Sequence, residues 1–173
     1  MDDFNFVEHN GFNLTFYEKA YIEAVRRQKT NENLNLSGRN NGPATGNAAL
    51  QIHILGAIGE LAVAEYLNLE KYVFAETNAV RGSFDLPPNI DVKTRSKHWM
   101  DLVIQLDDDP SKIFVHATCE DKKVRMHGWT YGHRVMKDNF IKDPAGNRPA
   151  YFVREWALHP MHLLKDYISD LRY

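Results

Sequence analysis

The segment Ala48-Ala-Leu-Gln-Ile-His-Ile-Leu-Gly-Ala-Ile-Gly-Glu-Leu-Ala-Val-Ala-Glu-Tyr-Leu67 decides the fold. Its residues are apolar or small on almost every side, so it reads as a helix buried on most faces. After it the period of the apolar residues falls to two. Tyr72–Phe74, Ile90–Thr94, Leu102–Leu106, Ile113–Ala117 and Val124–His127 read as strands, and Tyr151–Val153 reads as a last one. Turn-forming clusters separate them at 87–89, 107–110, 120–122 and 143–147. Pro160–Leu171 reads as a closing helix with proline near its first turn. Helices, then strands, then a helix predict an α+β or mixed α/β domain built around one central sheet.

Upstream of the buried helix, residues 1–14 read as a loose or strand-like arm. Phe16, Ala20, Ile22, Ala24 and Val25 predict a short amphipathic helix, with Thr15 as cap and Glu18 at capping-box spacing. Residues 29–47 hold six Asn, three Gly and one Pro, and predict a long loop. No internal repeat is visible. The chain has 173 residues, which favours one domain. Hydrophobic residues are 43% and charged residues 25%, the balance of a globular protein. One cysteine, Cys119, excludes a disulfide framework and suits a reducing cytoplasm. The lack of an 18-residue apolar run and the acidic first residues speak against a membrane span and a signal peptide. The net charge of −2 excludes a globally basic coat but not a local basic patch.

Three acids and a lysine stand apart by position. Glu60 lies inside the apolar helix, ringed by Gly56, Ala57, Val63, Ala64 and Leu67. A carboxylate there is costly unless a positive group compensates it, and a core salt bridge is the plain structural alternative. Asp85 stands at a strand or turn edge before Leu86-Pro87-Pro88, where turn formation alone accounts for it equally well. In the following strand Ile90, Val92 and Thr94 share one face, while Asp91, Lys93 and Arg95 share the other. Asp91 and Lys93 are then about 6–7 Å apart along the strand. Convergence of the three acids makes an oxygen-rich group suited to Mg²⁺ or Mn²⁺. A lysine beside it can orient water or stabilise charge growing on a phosphate.

The series Gly59-Glu60-Leu61-Ala62 on a helix, then Asp85, then Asp91-Val92-Lys93, resembles the PD-(D/E)xK, or restriction-endonuclease-like, nucleases over roughly residues 50–106. With Gly128-Trp129 it is similar to small phage and prophage members. The family more often has Glu than Asp at the acid-x-Lys position. The resemblance implies one such domain over 1–173, with a helical extension at 1–47 and a mixed central sheet flanked by helices. It implies Asp85 and Asp91 as metal ligands and Lys93 positioning the attacking water. Glu60 would hold a second ligand water or the lysine, and Gln105 would be a polar neighbour on the next strand. The implied reaction is Mg²⁺- or Mn²⁺-dependent phosphodiester hydrolysis of DNA in the cytoplasm, a host's if the chain is phage-encoded. Many such nucleases pair, so the resemblance leaves a homodimer open. The readings set against it are a catalytically inactive nuclease fold that binds nucleic acid and a phage interaction protein.

Charge is also segregated locally. Residues 100–121 hold six acids and one lysine, whereas 122–137 hold five cations and no acid. Arg81, Arg95 and Lys97 beside the acids, with Lys122, Lys123 and Arg125, are candidate phosphate contacts, the alternative being a solvated face. Trp99, Trp129 and Tyr131 lie among these cations and are expected mainly in the core. His116, Cys119, His127 and His133 hint at zinc, but with no second cysteine pair a metal site of that kind is not expected.

Overall fold

The computed structural model describes residues 6–34, 46–75 and 83–171. Their order is β1 (Val7–His9), α1 (Leu14–Asn33), α2 (Gly46–Leu67), β2 (Ile90–Arg95), β3 (Leu102–Gln105), β4 (Ile113–Glu120), β5 (Lys123–Tyr131), α3 (Gly132–Val135), β6 (Ile141–Lys142), β7 (Ala150–Val153) and α4 (Met161–Asp170). The domain is mixed α+β. The single central sheet expected from the strand pattern is two sheets. One runs β1-β5-β4-β2 and the other β3-β7-β6. The split follows from β3, which pairs antiparallel with β7 and leaves β2 to run parallel to β4.

Strand β4 is buried from Ile113 to Thr118 on both faces, as befits an interior strand. On one face Val92, Val115, Met126 and Trp129 pack with Val63, Ala64 and Leu67 of α2 and with Met161, Leu164 and Ile168 of α4. The α4 residues recur at helical spacing, and this is the stripe the helix buries. On the other face Phe114 packs with Leu102, Ile104, Val135 and Val153 of the smaller sheet. A third cluster joins Phe16, Ala20 and Ala24 of α1 to Ile54, Ala57, Ile58 and Leu61 of α2. The expected N-terminal extension is thus welded to the core helix among the described residues.

Several local expectations need correction. Helix α1 is capped by Asn13, whose side chain accepts the Phe16 N–H at 2.9 Å, so the cap is two residues before Thr15. It runs on to Asn33, so the front of the expected 29–47 loop is helical, and 35–45 lie outside the described residues. Tyr72–Phe74 is not a strand: Glu70–Tyr72 form a 3₁₀ turn, and Phe74 has φ +60°. The arm at 1–14 contributes β1, which adds to the sheet edge beside β5. Helix α2 has the length and hydropathy of a bilayer-crossing helix, yet more than half of that window is buried inside this domain.

Two glycines fix the site's framework. A Cβ on Gly59 would collide with the Thr94 hydroxyl and approach its Cβ and Cγ2 to 3.0 Å, so α2 and β2 touch nearly backbone to side chain there. Gly128 has φ +148°, and a Cβ there would lie 2.6 Å from the His159 carbonyl. Around it β5 carries a bulge, since His116 pairs with Gly128 but Ala117 pairs with Met126. The additional residue is His127, which stacks on His116, and the bulge brings Trp129 onto the face of Met126.

Replacing Gly59 by Ala is predicted to destabilise the fold by about 1–3 kcal/mol through overpacking. Adding Thr94→Ala should recover most of that loss. Urea unfolding of the single and double variants measures both effects, and an unchanged midpoint for Gly59→Ala would refute the close approach.

Candidate metal and phosphate site

The site begins with a tight turn. Leu86 and Ile90 exchange N–H to carbonyl bonds of 3.1 and 2.8 Å around Pro87-Pro88-Asn89, and the Asp85 N–H also reaches the Ile90 carbonyl at 2.8 Å. This folds Asp85 back along edge strand β2, where its Oδ2 accepts the Val92 N–H at 2.7 Å. Asp85 therefore lies against the backbone midway between Asp91 and Lys93. Burial raises its pKa well above the usual carboxylate range, and the negative charges of Glu60 and Asp91 raise it further; the Val92 N–H and Arg27 only partly offset them. The three predicted acids thus lie within electrostatic reach of one another.

Glu60, 5% exposed, is held by a bidentate pair: Arg27 Nη1 and Nη2 donate to its two oxygens at 2.7 and 2.6 Å. Arg27 Nε donates to Glu23 Oε1 at 2.7 Å, and Arg26 clasps both Glu23 oxygens. Burial acts against the charge on Arg27, but Glu60 and Glu23 outweigh it and raise its pKa. A contact of Glu60 with Lys93, one of the two roles expected of it, is not among the described contacts; its cation comes from α1.

Asp91 and Lys93 share a face as expected, with Nζ 3.4 Å from Asp91. The closer partner of Lys93 is Asp108, at 3.0 Å. Asp108 also accepts the Gln105 N–H at 2.9 Å, so Gln105 borders the site through its backbone. A second buried lysine, Lys112, donates to Asp91 Oδ2 at 3.2 Å and to the Ser83 carbonyl at 2.7 Å. Burial disfavours the charge on Lys93, yet Asp91 and Asp108 more than compensate, raising its pKa and keeping it an ammonium.

Among the described residues no three His, Cys, Asp or Glu side chains form a group that could hold a metal ion. Asp85 and Asp91 supply two hard oxygen donors. These are the donor type that Mg²⁺ takes, commonly one or two carboxylates with water and substrate phosphates completing the shell.

The cations set aside for phosphate are scattered. Arg95 is half-buried, and its Nε is buried without a hydrogen-bond partner. Lys97 pairs with Glu120 at 2.8 Å, and Arg125 pairs with Glu8 at 3.4 Å while stacking over Phe6. Lys122 forms the β4–β5 hairpin turn with Asp121, both at positive φ, beside exposed Lys123. Arg81 lies outside the described residues.

Along the same face runs a chain of side chains: His98 Nδ1 lies 2.7 Å from Thr118 Oγ1, that oxygen 2.8 Å from His127 Nε2, and His127 Nδ1 3.3 Å from Glu155. His116, 3% exposed, stacks on His127 at 4.8 Å with neither ring nitrogen hydrogen-bonded. Burial, with help from His127 and Arg95, pulls its pKa down to about 3. Cys119 takes no part among these described contacts. Trp129 is a core residue, as expected, and donates to the Pro160 carbonyl at 3.0 Å; Trp99, expected in the core, is 78% exposed.

Arg27, Asp108, Lys112 and Ser83 escape a reading of the sequence. Only Arg27 leaves a signal, the cation that a buried Glu60 requires. The chain matches no family model, and no curated protein and no solved structure matches it.

Arg27→Met leaves Glu60 buried and unpaired and should cost on the order of 3 kcal/mol, with Arg27→Lys intermediate, as measured by urea unfolding. Unchanged stability in Arg27→Met would contradict the pair. For His116 the unfolded state takes up a proton near pH 6.5 that the folded state refuses until about pH 3. Stability therefore falls as pH drops through that window, by about 1.4 kcal/mol per pH unit for one such group. Unfolding midpoints of wild type and His116→Phe at pH 7, 6 and 5 should show a shallower acid slope in the variant; parallel slopes would contradict a buried neutral His116.

Proposed function

We propose that the domain hydrolyses phosphodiester bonds in nucleic acid, most simply DNA, on a restriction-endonuclease-like scaffold. What carries the reading is the meeting of Asp85, Asp91 and the Lys93 ammonium at the edge of β2, opposite Glu60 on α2. Asp85 and Asp91 would hold Mg²⁺ or Mn²⁺, which when bound supplies a Lewis acid and a water made nucleophilic at neutral pH.

The chain's own groups do the rest. The Val92 N–H fixes the Asp85 oxygen, and the tight turn before β2 fixes its backbone. Lys93 stays protonated between Asp91 and Asp108, so it donates hydrogen bonds to a water or a phosphate oxygen rather than taking up a proton. Lys112 restrains the far side of Asp91. Glu60 contributes through its charge on Asp85, and Arg27 fixes that carboxylate by two hydrogen bonds.

A second reading, a nucleic-acid-binding domain of the same scaffold without chemistry, draws on one observation. Glu60 is already paired with Arg27, Asp91 with two lysines and Asp108 with Lys93, so much of the cluster is balanced by internal cations.

Incubation with supercoiled plasmid, four-way junctions and single strands in Mg²⁺ or Mn²⁺ separates these readings. Wild type should cleave at least one of them, and Asp85→Asn and Lys93→Ala should lose on the order of 10²–10³-fold in rate, the scale for removing one preorganised group. Equal behaviour of wild type and Lys93→Ala on every substrate would exclude the hydrolase.

A further inference from the structure

Several cations of this domain that are withdrawn from water are held by acids: Arg27 by Glu23 and Glu60, Lys93 by Asp91 and Asp108, and Lys112 by Asp91. Arg95 is not. It is half-buried, and among the described residues it enters no hydrogen bond and no ion pair, with its Nε buried and unpartnered. Burial lowers its pKa, and Asp101, which stands beyond ion-pair distance, offsets that only in part. Arg27 shows the reverse balance, its acids outweighing burial. The residues beside Arg95 supply no acceptor either. Its register partner Thr118 has its hydroxyl engaged with His98 and His127. His116, two residues earlier on β4, lies within electrostatic reach of Arg95, yet neither of its ring nitrogens is hydrogen-bonded. Asp91, Asp108 and Glu120 are committed to Lys93, Lys112 and Lys97.

We infer that Arg95 seats a backbone phosphate of the nucleic-acid substrate, one that flanks the phosphate attacked beside Asp85, Asp91 and Lys93. A guanidinium drawn partly out of water without an acceptor is unfavourable, and an unsatisfied donor of this kind in a folded protein calls for a partner such as an ion. The position of Arg95 says which anion. Side-chain alternation sets Asp91, Lys93 and Arg95 in a row on one face of β2, which is the edge strand of its sheet. The planar fork of guanidinium donors matches phosphate oxygens in pairs.

Four strand residues span about 13 Å, so Arg95 meets the run of phosphates at a different point from the carboxylates, with Lys93 between them. In this arrangement Arg95 positions the substrate along β2 and takes no part in the bond that breaks. The choice of ligand rests on the hydrolase reading, which this inference deepens, but binding is measurable without cleavage.

The salt dependence of binding to a short fluorescein-labelled DNA duplex tests it, read by anisotropy with the full chain in EDTA. Each phosphate contact adds about 0.9 to the slope of log affinity against log salt. Arg95→Met should lose about that much of the slope and bind on the order of tenfold more weakly at low salt, the scale of one hydrogen bond to a charged group. Arg95→Lys should keep the slope. Lys97→Met removes the same charge two residues away, from a cation already paired with Glu120, and should also keep it. The thermal melt of Arg95→Met should match or exceed wild type, because the variant keeps an aliphatic stem and removes an unanswered charge. A lower melting temperature would mark Arg95 as a structural cation and overturn the inference. So would a wild-type slope in Arg95→Met, a lowered slope in Arg95→Lys, an equal loss in Lys97→Met, or no duplex binding by wild type. Slope lost in Arg95→Met, in a chain that cleaves nothing, would uphold Arg95 and remove the hydrolase reading; plasmid cleavage by wild type with the slope unchanged in Arg95→Met would do the reverse.

Discussion

Burying carboxylates around the edge of β2 is the constraint around which this domain is organised. Glu60, Asp85 and Asp91 lie close enough that two of them raise the pKa of the third. Like charges at such range in a desolvated setting disfavour folding unless cations or hydrogen bonds answer them. Among the described residues those answers include Arg27 from α1, the Val92 N–H from β2 itself, Lys93 from the same strand and Lys112 from just before β4. Gly59 permits the approach, because any side chain there would drive α2 away from Thr94. A purely structural ion pair would not need a second and third acid beside it. Asp85 is a carboxyl buried where an apolar residue would pack more cheaply, and burial and its acidic neighbours push its pKa up.

The two faces of the four-stranded sheet divide the work. The face toward α2 and α4 is apolar and supplies most of the hydrophobic stabilisation, through Val92, Val115, Met126 and Trp129. The opposite face carries Asp91 and Lys93 at the β2 edge and the stacked His116 and His127 farther along. The β5 bulge at His127 is what brings Trp129 onto the apolar face with Met126, although the two stand an odd number of residues apart. The smaller sheet then covers only part of the polar face, through Leu102, Ile104 and Val153 against Phe114.

How much of this was legible in the sequence depended on whether the deciding interaction was local. The alternation of Ile90, Val92 and Thr94 against Asp91, Lys93 and Arg95 is a property of one strand, and β2 shows it. The apolar run around Glu60 marks a buried helix wherever it packs, and the need for a compensating cation follows from the carboxylate alone. Its identity does not, because Arg27 reaches Glu60 from 33 residues away through helix–helix packing. Asp108 looked like one of three turn acids, and only the fold of the β3–β4 connection turns it onto Lys93. Tyr72–Phe74 had strand-like residues but no pairing partner, and the chain makes a 3₁₀ turn there instead. The division into two sheets was equally hidden, since β3 pairs with β7 across 45 or more residues of sequence. Trp99 misled in the other direction: aromatic character predicts burial on average, and nothing local distinguishes a presented ring from a packed one.

Divalent-ion binding by the Asp85–Asp91 pair is tested most directly by calorimetric titration of Mn²⁺ into wild type and Asp85→Asn at neutral pH. A bound ion at this pair predicts a saturable heat for wild type, abolished in Asp85→Asn while the variant's far-ultraviolet circular dichroism stays that of wild type. No saturable heat in wild type, or the same heat in both proteins, would contradict it and leave the acids as a structural charge cluster.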